Sequence, residues 1–117
     1  MRPAFTAAVA ASFASLLGCA APAPAEDVRQ LRAADAPVVD VRSPEEWAEG
    51  HLEGSALVPL PELAARLGEV EALLGGDKTK PVIVVCRSGA RAEKARAILL
   101  QNGFFNVKNA GGWTSLQ

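Results

Sequence analysis

Val82-Ile83-Val84-Val85-Cys86-Arg87-Ser88-Gly89-Ala90-Arg91 is the stretch that decides how this chain folds. Four apolar residues without alternation describe a strand covered on both faces. A thiol ends the strand and a glycine-containing turn follows it. From Ala90 to Asn102, Ala92, Ala95, Ile98 and Leu99 recur at helical spacing, and Gly103 stops the helix. A buried strand that passes through a short loop into a helix is the repeating unit of a parallel sheet. In such sheets ligands bind at the carboxyl ends of the strands, where Cys86 stands.

The same alternation extends upstream. Glu26 to Ala34 reads as a short helix, with Val28 and Leu31 on one side. Val38-Val39-Asp40-Val41 is a β-branched strand. Ser43-Pro44-Glu45-Glu46 opens a helix: Ser43 suits the N-cap, Pro44 the first helical position, and Glu46 can close a capping box. Gly50 ends that helix, and Ser55 to Val58 is a short strand. Pro61 opens one longer helix with Leu60, Leu63, Ala64, Leu67, Val70 and Leu74 inward, stopped by Gly75-Gly76. Downstream, Phe105 to Val107 is a last short strand before Gly111-Gly112-Trp113. The expected class is α/β.

Composition narrows the function. The chain has 117 residues, enough for one domain. Half are apolar and the net charge is −1, which excludes disorder. With 12 Lys+Arg against 13 Asp+Glu there is no basic excess, so no nucleic-acid partner is expected. Two cysteines cannot make a disulfide scaffold, and one histidine without a CxxC pair makes no zinc site, so neither metal nor cofactor is expected.

Residues 1–25 read as an export signal. Arg2 supplies the positive start, Ala7 to Leu17 the apolar segment, and no charge occurs from Pro3 to Ala25. A membrane-spanning anchor is disfavoured by Pro22, Pro24 and the many alanines. Ala23-Pro24-Ala25 fits cleavage before Glu26, leaving 26–117 as the domain. The alternative is a lipoprotein signal, Leu16-Leu17-Gly18-Cys19, with Cys19 lipidated. Either way the protein is expected to be exported: periplasmic, or held at a membrane through Cys19. Cys86 then has no internal disulfide partner in an oxidising compartment, a hint of chemistry.

Cys86 faces a helix start, whose unpaired amides and dipole favour an anion. Arg87 and Arg91 add positive charge, and Gly89 can turn successive amides inward as an anion nest. Such surroundings favour the thiolate, the reactive form. An inert buried cysteine is the competing reading, but a core strand end has no reason to collect two arginines and a glycine.

The chain resembles the single-domain rhodaneses, the thiosulfate sulfurtransferase family. Val39-Asp40-Val41-Arg42, Glu46-Trp47 with Gly50-His51-Leu52-Glu53-Gly54-Ser55, the Cys86 to Arg91 loop, and Gly103-Phe104, Val107 and Gly111-Gly112-Trp113 carry the resemblance, in order, over residues 27–117. It implies a rhodanese-like fold, a mostly parallel five-stranded sheet with helices on both faces. It also implies that Cys86 takes sulfur from thiosulfate as a persulfide and passes it to cyanide, a thiol or a thiol-bearing protein. By the same resemblance the amides of Arg87, Ser88, Gly89, Ala90 and Arg91 cradle the sulfur. Arg91, with Arg87 beside it, holds the anionic donor. Asp40 and Arg42 form an ion pair supporting the loop.

His51 reads as a hydrogen-bonded turn residue, Trp47 and Trp113 as packing, and Glu45, Glu46 and Glu49 as a solvated helix face with a capping role. Two other functions share the loop. A persulfide carrier would use the same cysteine. A phosphatase or arsenate reductase would need the wider Cys-x5-Arg cradle, whereas Cys86 and Arg91 enclose four residues.

Overall fold

A computed structural model describes residues 23–117. The export stretch and Cys19 lie outside the described residues, apart from Ala23 to Ala25. In chain order the elements are α1 (Ala25–Ala33), β1 (Val38–Asp40), α2 (Pro44–Glu49), β2 (Ala56–Leu57), α3 (Leu60–Leu63), α4 (Leu67–Leu73), β3 (Pro81–Cys86), α5 (Ala90–Gln101) and β4 (Asn106–Gly112). A 3-10 turn over Trp113–Leu116 closes the chain.

The sheet is parallel throughout, with spatial order β2-β1-β3-β4. β3 lies at its centre, with Val38, Val39 and Asp40 beside Ile83, Val84 and Val85. Its side chains divide between two layers, which explains its unbroken apolar run. Val82, Val84 and Cys86 join Val39, Val41, Leu63, Val70, Ala95 and Leu99 under α3, α4 and α5. Ile83 and Val85 join Val28, Val38 and Leu52 on the opposite face, packed by α1 and the 3-10 turn. Each fully buried Val or Ile contributes about 1.5–3 kcal/mol, so this central strand anchors both layers and fixes where Cys86 emerges.

Three expectations change. The sheet has four strands among the described residues, not five. At the outer edge of β4 the Ala23 amide donates to the Asn109 carbonyl at 2.7 Å. Pro24 then leads the chain into α1. The helix read as continuous from Pro61 to Leu74 is two, α3 and α4. Arg66 breaks it with φ −121° and ψ 26°. Its guanidinium binds Glu62 on one side of the break and Glu69 on the other. The periodicity survived because both pieces bury one side, through Leu63, Val70 and Leu74, but Ala64 at the break is exposed. Finally, β4 runs on to Gly112. Asn109, Ala110 and the glycines carry no strand signal, and the strand is held by pairing with β3, including Val84 beside Asn109.

Candidate active site

β3 delivers Cys86 to the carboxyl edge of the sheet with its side chain buried. The next three residues form the loop into α5. Arg87 and Ser88 are exposed, and Gly89 is buried as the N-cap of α5. Gly89 takes φ +109°, a left-handed conformation that side chains resist. That turn points its amide back, and it donates to Cys86 Sγ at 2.9 Å. Ala90, first in the helix, is exposed.

Two neighbouring elements grip the loop. From β4, Asn109 Nδ2 donates to the Gly89 carbonyl at 3.1 Å, and Asn109 Oδ1 accepts the Gly111 amide at 2.8 Å. The glycine pair lies directly against the loop. A Cβ on Gly112 would stand 2.7 Å from the Arg87 carbonyl, and one on Gly89 would stand 3.3 Å from Gly111 Cα.

From α2 comes Glu46. Its Oε1 closes the capping box by accepting from the Ser43 amide at 3.0 Å, while Ser43 Oγ accepts the Glu46 amide. The same carboxylate takes both terminal nitrogens of Arg91, at 2.7 and 2.9 Å. The guanidinium holds the Glu46 carboxyl down at about 2, and the Ser43 amide adds to the effect. Arg91 is correspondingly raised, first by its bonds to Glu46 and also by the charge of that carboxylate. The sequence put Arg91 on the donor; in the structure its guanidinium is engaged by Glu46.

Asp40 and Arg42 form a buried ion pair at 2.8 Å. Arg42 Nη2 also donates to the Gly50 carbonyl at 2.8 Å, and its guanidinium lies over the Trp113 ring, 4.7 Å from the centroid. Arg42, Glu46, Glu49, Gly50, Arg87 and Trp113 line a polar pocket of about 250 Å³. Arg42 and Glu46 are paired within it. Arg87 pairs with no carboxylate among the described residues, which leaves its charge open to an anion.

His51 stacks on Trp47 with ring centroids 3.7 Å apart, and its Nδ1 is 2.9 Å from the Trp47 carbonyl. It is the turn residue the sequence suggested. Trp113 packs against the layer of Ile83 and Val85 and also forms a wall of the pocket. Two residues at this site were passed over in the sequence. Asn109 sat in a run read as lying beyond the last strand. Glu46 was legible as a cap, but nothing local announced a partner 45 positions away.

The site is a strand-end thiol at the carboxyl edge of a parallel sheet, bonded by the amide of a left-handed glycine. The rhodanese-like domain family model matches residues 24–117. The chain belongs to the rhodanese-like family. It is 36% identical over 87 residues to the thiosulfate sulfurtransferase GlpE of Pseudomonas aeruginosa, covering 74% of each chain. It is 36% identical over 74 residues to the thiosulfate sulfurtransferase PspE of Escherichia coli, covering 63% of this chain and 67% of that one. A tRNA uridine(34) hydroxylase of Photorhabdus laumondii is 38% identical over 89 residues, but the match spans 25% of that protein. Among solved structures, a rhodanese with anions from E. coli superposes with a TM-score of 0.61 at 32% identity, covering 68% of this chain and 89% of that one. This rhodanese domain is thus a rhodanese-type sulfurtransferase, an enzyme with a sulfur donor and a sulfur acceptor.

Proposed function

We propose that the domain moves sulfane sulfur from thiosulfate, through a persulfide on Cys86, to cyanide or a thiol, on a small molecule or a protein. The Cys86 thiolate attacks the outer sulfur of thiosulfate. A Cys86 S–S bond forms, the sulfur–sulfite bond breaks, and its electron pair leaves on sulfite. The acceptor nucleophile then attacks the outer sulfur of the persulfide and the thiolate returns. The observation that carries this reading is the Gly89 amide donating to Cys86 Sγ at 2.9 Å. An oriented amide is suited to charge on the thiolate, on the transferred sulfur and on the thiolate as it leaves. Arg87, which lines the pocket and pairs with no carboxylate among the described residues, is the group for the donor anion and departing sulfite. Arg91, tied to Glu46, acts by placing the first turn of α5. Asp40 and Arg42 support the pocket from beneath.

Intact mass after incubation with thiosulfate tests the reading. The expected result is a gain of one sulfur atom, removed by cyanide and absent from Cys86→Ser. No gain, or a gain that persists in Cys86→Ser, would overturn it. Turnover of an aryl phosphate that depends on Cys86 would favour the phosphatase reading instead.

The domain is proposed to work outside the cytoplasm, with an export signal at the start of the chain. Between the two processing sites, lipidation at Cys19 fits the fold better. Cleavage before Glu26 would remove Ala25 from α1 and the Ala23 amide from the Asn109 carbonyl. The mass of the protein recovered from the cell envelope separates the two. A lipidated chain starting at Cys19 is expected, and an unmodified chain starting at Glu26 would refute it.

A further inference from the structure

We propose that Asn109 is a positioning residue for sulfur transfer, acting through Gly89 on Cys86. The inference deepens the persulfide reading and rests on Cys86 being the sulfur carrier. Asn109 is 3% exposed, and each end of its amide is used. Nδ2 donates to the Gly89 carbonyl at 3.1 Å and to Glu93 Oε1 at 3.3 Å. Oδ1 accepts from the Gly111 amide at 2.8 Å. The Gly89 carbonyl also takes the first helical bond of α5, from the Glu93 amide at 2.9 Å. One peptide group is thereby fixed from two directions, by its own helix and by the neighbouring strand.

That fixing matters because Gly89 sits at φ +109° and is free to leave that conformation. Its amide points at Cys86 Sγ as long as the backbone stays there. The chain of contacts runs from a buried strand side chain, through a glycine carbonyl, to the amide on sulfur. A backbone amide cannot be deleted by substitution, so the strand that aims it is where the effect becomes accessible to mutation. Asn109 touches neither the sulfur nor the pocket. Its contribution is to hold the donor still before the charge on sulfur changes, which is what preorganisation requires.

Three substitutions test the inference. Asn109→Ala removes the grip. Asn109→Asp retains an acceptor for the Gly111 amide but, when ionised, sets a negative charge against the Gly89 carbonyl and Glu93. Val107→Ala is the control. It opens a cavity on the same strand and lowers stability, but leaves Gly89 held. Two rates are read at temperatures where all proteins are folded: alkylation of Cys86 by iodoacetamide, and sulfur loading from thiosulfate, the latter split into kcat and KM.

For Asn109→Ala both alkylation and kcat are expected to fall about tenfold with KM little changed, below the 10²–10³ lost when an oriented donor is removed outright. Val107→Ala should stay near wild type in both. Asn109→Asp should be slowest at about pH 8 and recover towards wild type at about pH 5, as the introduced carboxyl takes a proton and can again donate to Gly89. The groups facing that side chain are the Gly89 carbonyl and Glu93 of α5 and the Gly111 amide of β4; Glu93 opposes ionisation, and Arg96, paired with Glu93, moderates it.

Rates within twofold of wild type for Asn109→Ala, losses matched by Val107→Ala, or a pH-independent ratio of Asn109→Asp to wild type would each overturn the proposal. If either Asn109 variant fails to fold, Asn109→Ser takes its place, because its hydroxyl is too short to span to the Gly89 carbonyl. Alkylation does not require sulfur transfer. A wild-type protein that loads no sulfur would therefore sink the persulfide reading while still leaving the grip on Gly89 to be judged.

Discussion

Two ion pairs flank the Cys86 loop, and they differ in burial. Asp40 and Arg42 have side chains 0% and 5% exposed; Glu46 and Arg91 are 24% and 35% exposed. The first pair lies two residues apart at the end of β1, and every direction is taken. Asp40 Oδ1 accepts the Arg42 backbone amide, both carboxylate oxygens accept from Nε, Nη2 donates to Asp40 Oδ2 and to the Gly50 carbonyl, and Nη1 reaches the Glu46 carbonyl. The second pair joins elements 45 residues apart across the pocket rim. A buried pair is costly to assemble and costlier to break, because the surviving partner is left charged in a dry place. A half-exposed pair adds little stability, because water competes for both partners. The difference teaches that equal-looking bidentate contacts do different jobs. The inner pair is a foundation for the pocket, and the outer pair is a latch on the first turn of α5.

The largest effect should come from breaking the foundation. Asp40→Ala leaves the Arg42 guanidinium buried without its carboxylate, and such changes cost about 3–5 kcal/mol. Chemical denaturation should show a lower midpoint with an unchanged slope. A loss under about 1 kcal/mol would mean that the carbonyls of Gly50 and Glu46 and the Trp113 ring suffice for Arg42. A smaller effect is expected where the loop is displaced with both pairs intact. Gly112 has φ −78°, so alanine is allowed there by the backbone, but its Cβ would meet the Arg87 carbonyl at 2.7 Å. Gly112→Ala should cost about 1–3 kcal/mol as overpacking and should slow sulfur loading more than it changes the donor KM. Wild-type loading would show that the loop can yield by several tenths of an ångström without moving the Gly89 amide.

The contrast between the pairs also explains what could be read from the sequence. Asp40 and Arg42 were legible as a pair through the family resemblance, and both partners lie within one strand end. The capping box was legible from local spacing, with Ser43 and Glu46 three apart. Cys86 and Gly89 follow from the break between strand and helix patterns. Glu46 with Arg91 and Asn109 with Gly89 were not legible, because the fold alone brings α2 and β4 to the loop. The single helix expected from Pro61 to Leu74 failed for a related reason. Periodicity reports which side is buried, and α3 and α4 bury the same side on either end of a break. The extent of β4 was hidden because Asn109, Gly111 and Gly112 are chosen for contact with the loop, not for strand propensity.

The latch should give the smallest change in stability and the most specific change in kinetics. Glu46→Gln retains an oxygen for the Ser43 amide but removes the charge that holds Arg91. Stability at neutral pH should fall by no more than about 1 kcal/mol, as for exposed or half-exposed pairs. The pH dependence has a defined sign. The folded carboxyl is held at about 2 against an ordinary 4.5, so its stabilisation is full above 4.5 and disappears as pH falls through about 2. The stability curves of wild type and Glu46→Gln should therefore converge between those values, and parallel curves would show that the pair does not couple to folding. The kinetic expectation runs the other way. Freed from Glu46, the Arg91 charge becomes available to a dianionic donor, so KM for thiosulfate should fall while kcat falls as well, because the first turn of α5 is less firmly placed. An unchanged KM would show that Arg91 faces away from the donor even when released, and would leave Arg87 as the sole anion-binding guanidinium of the pocket.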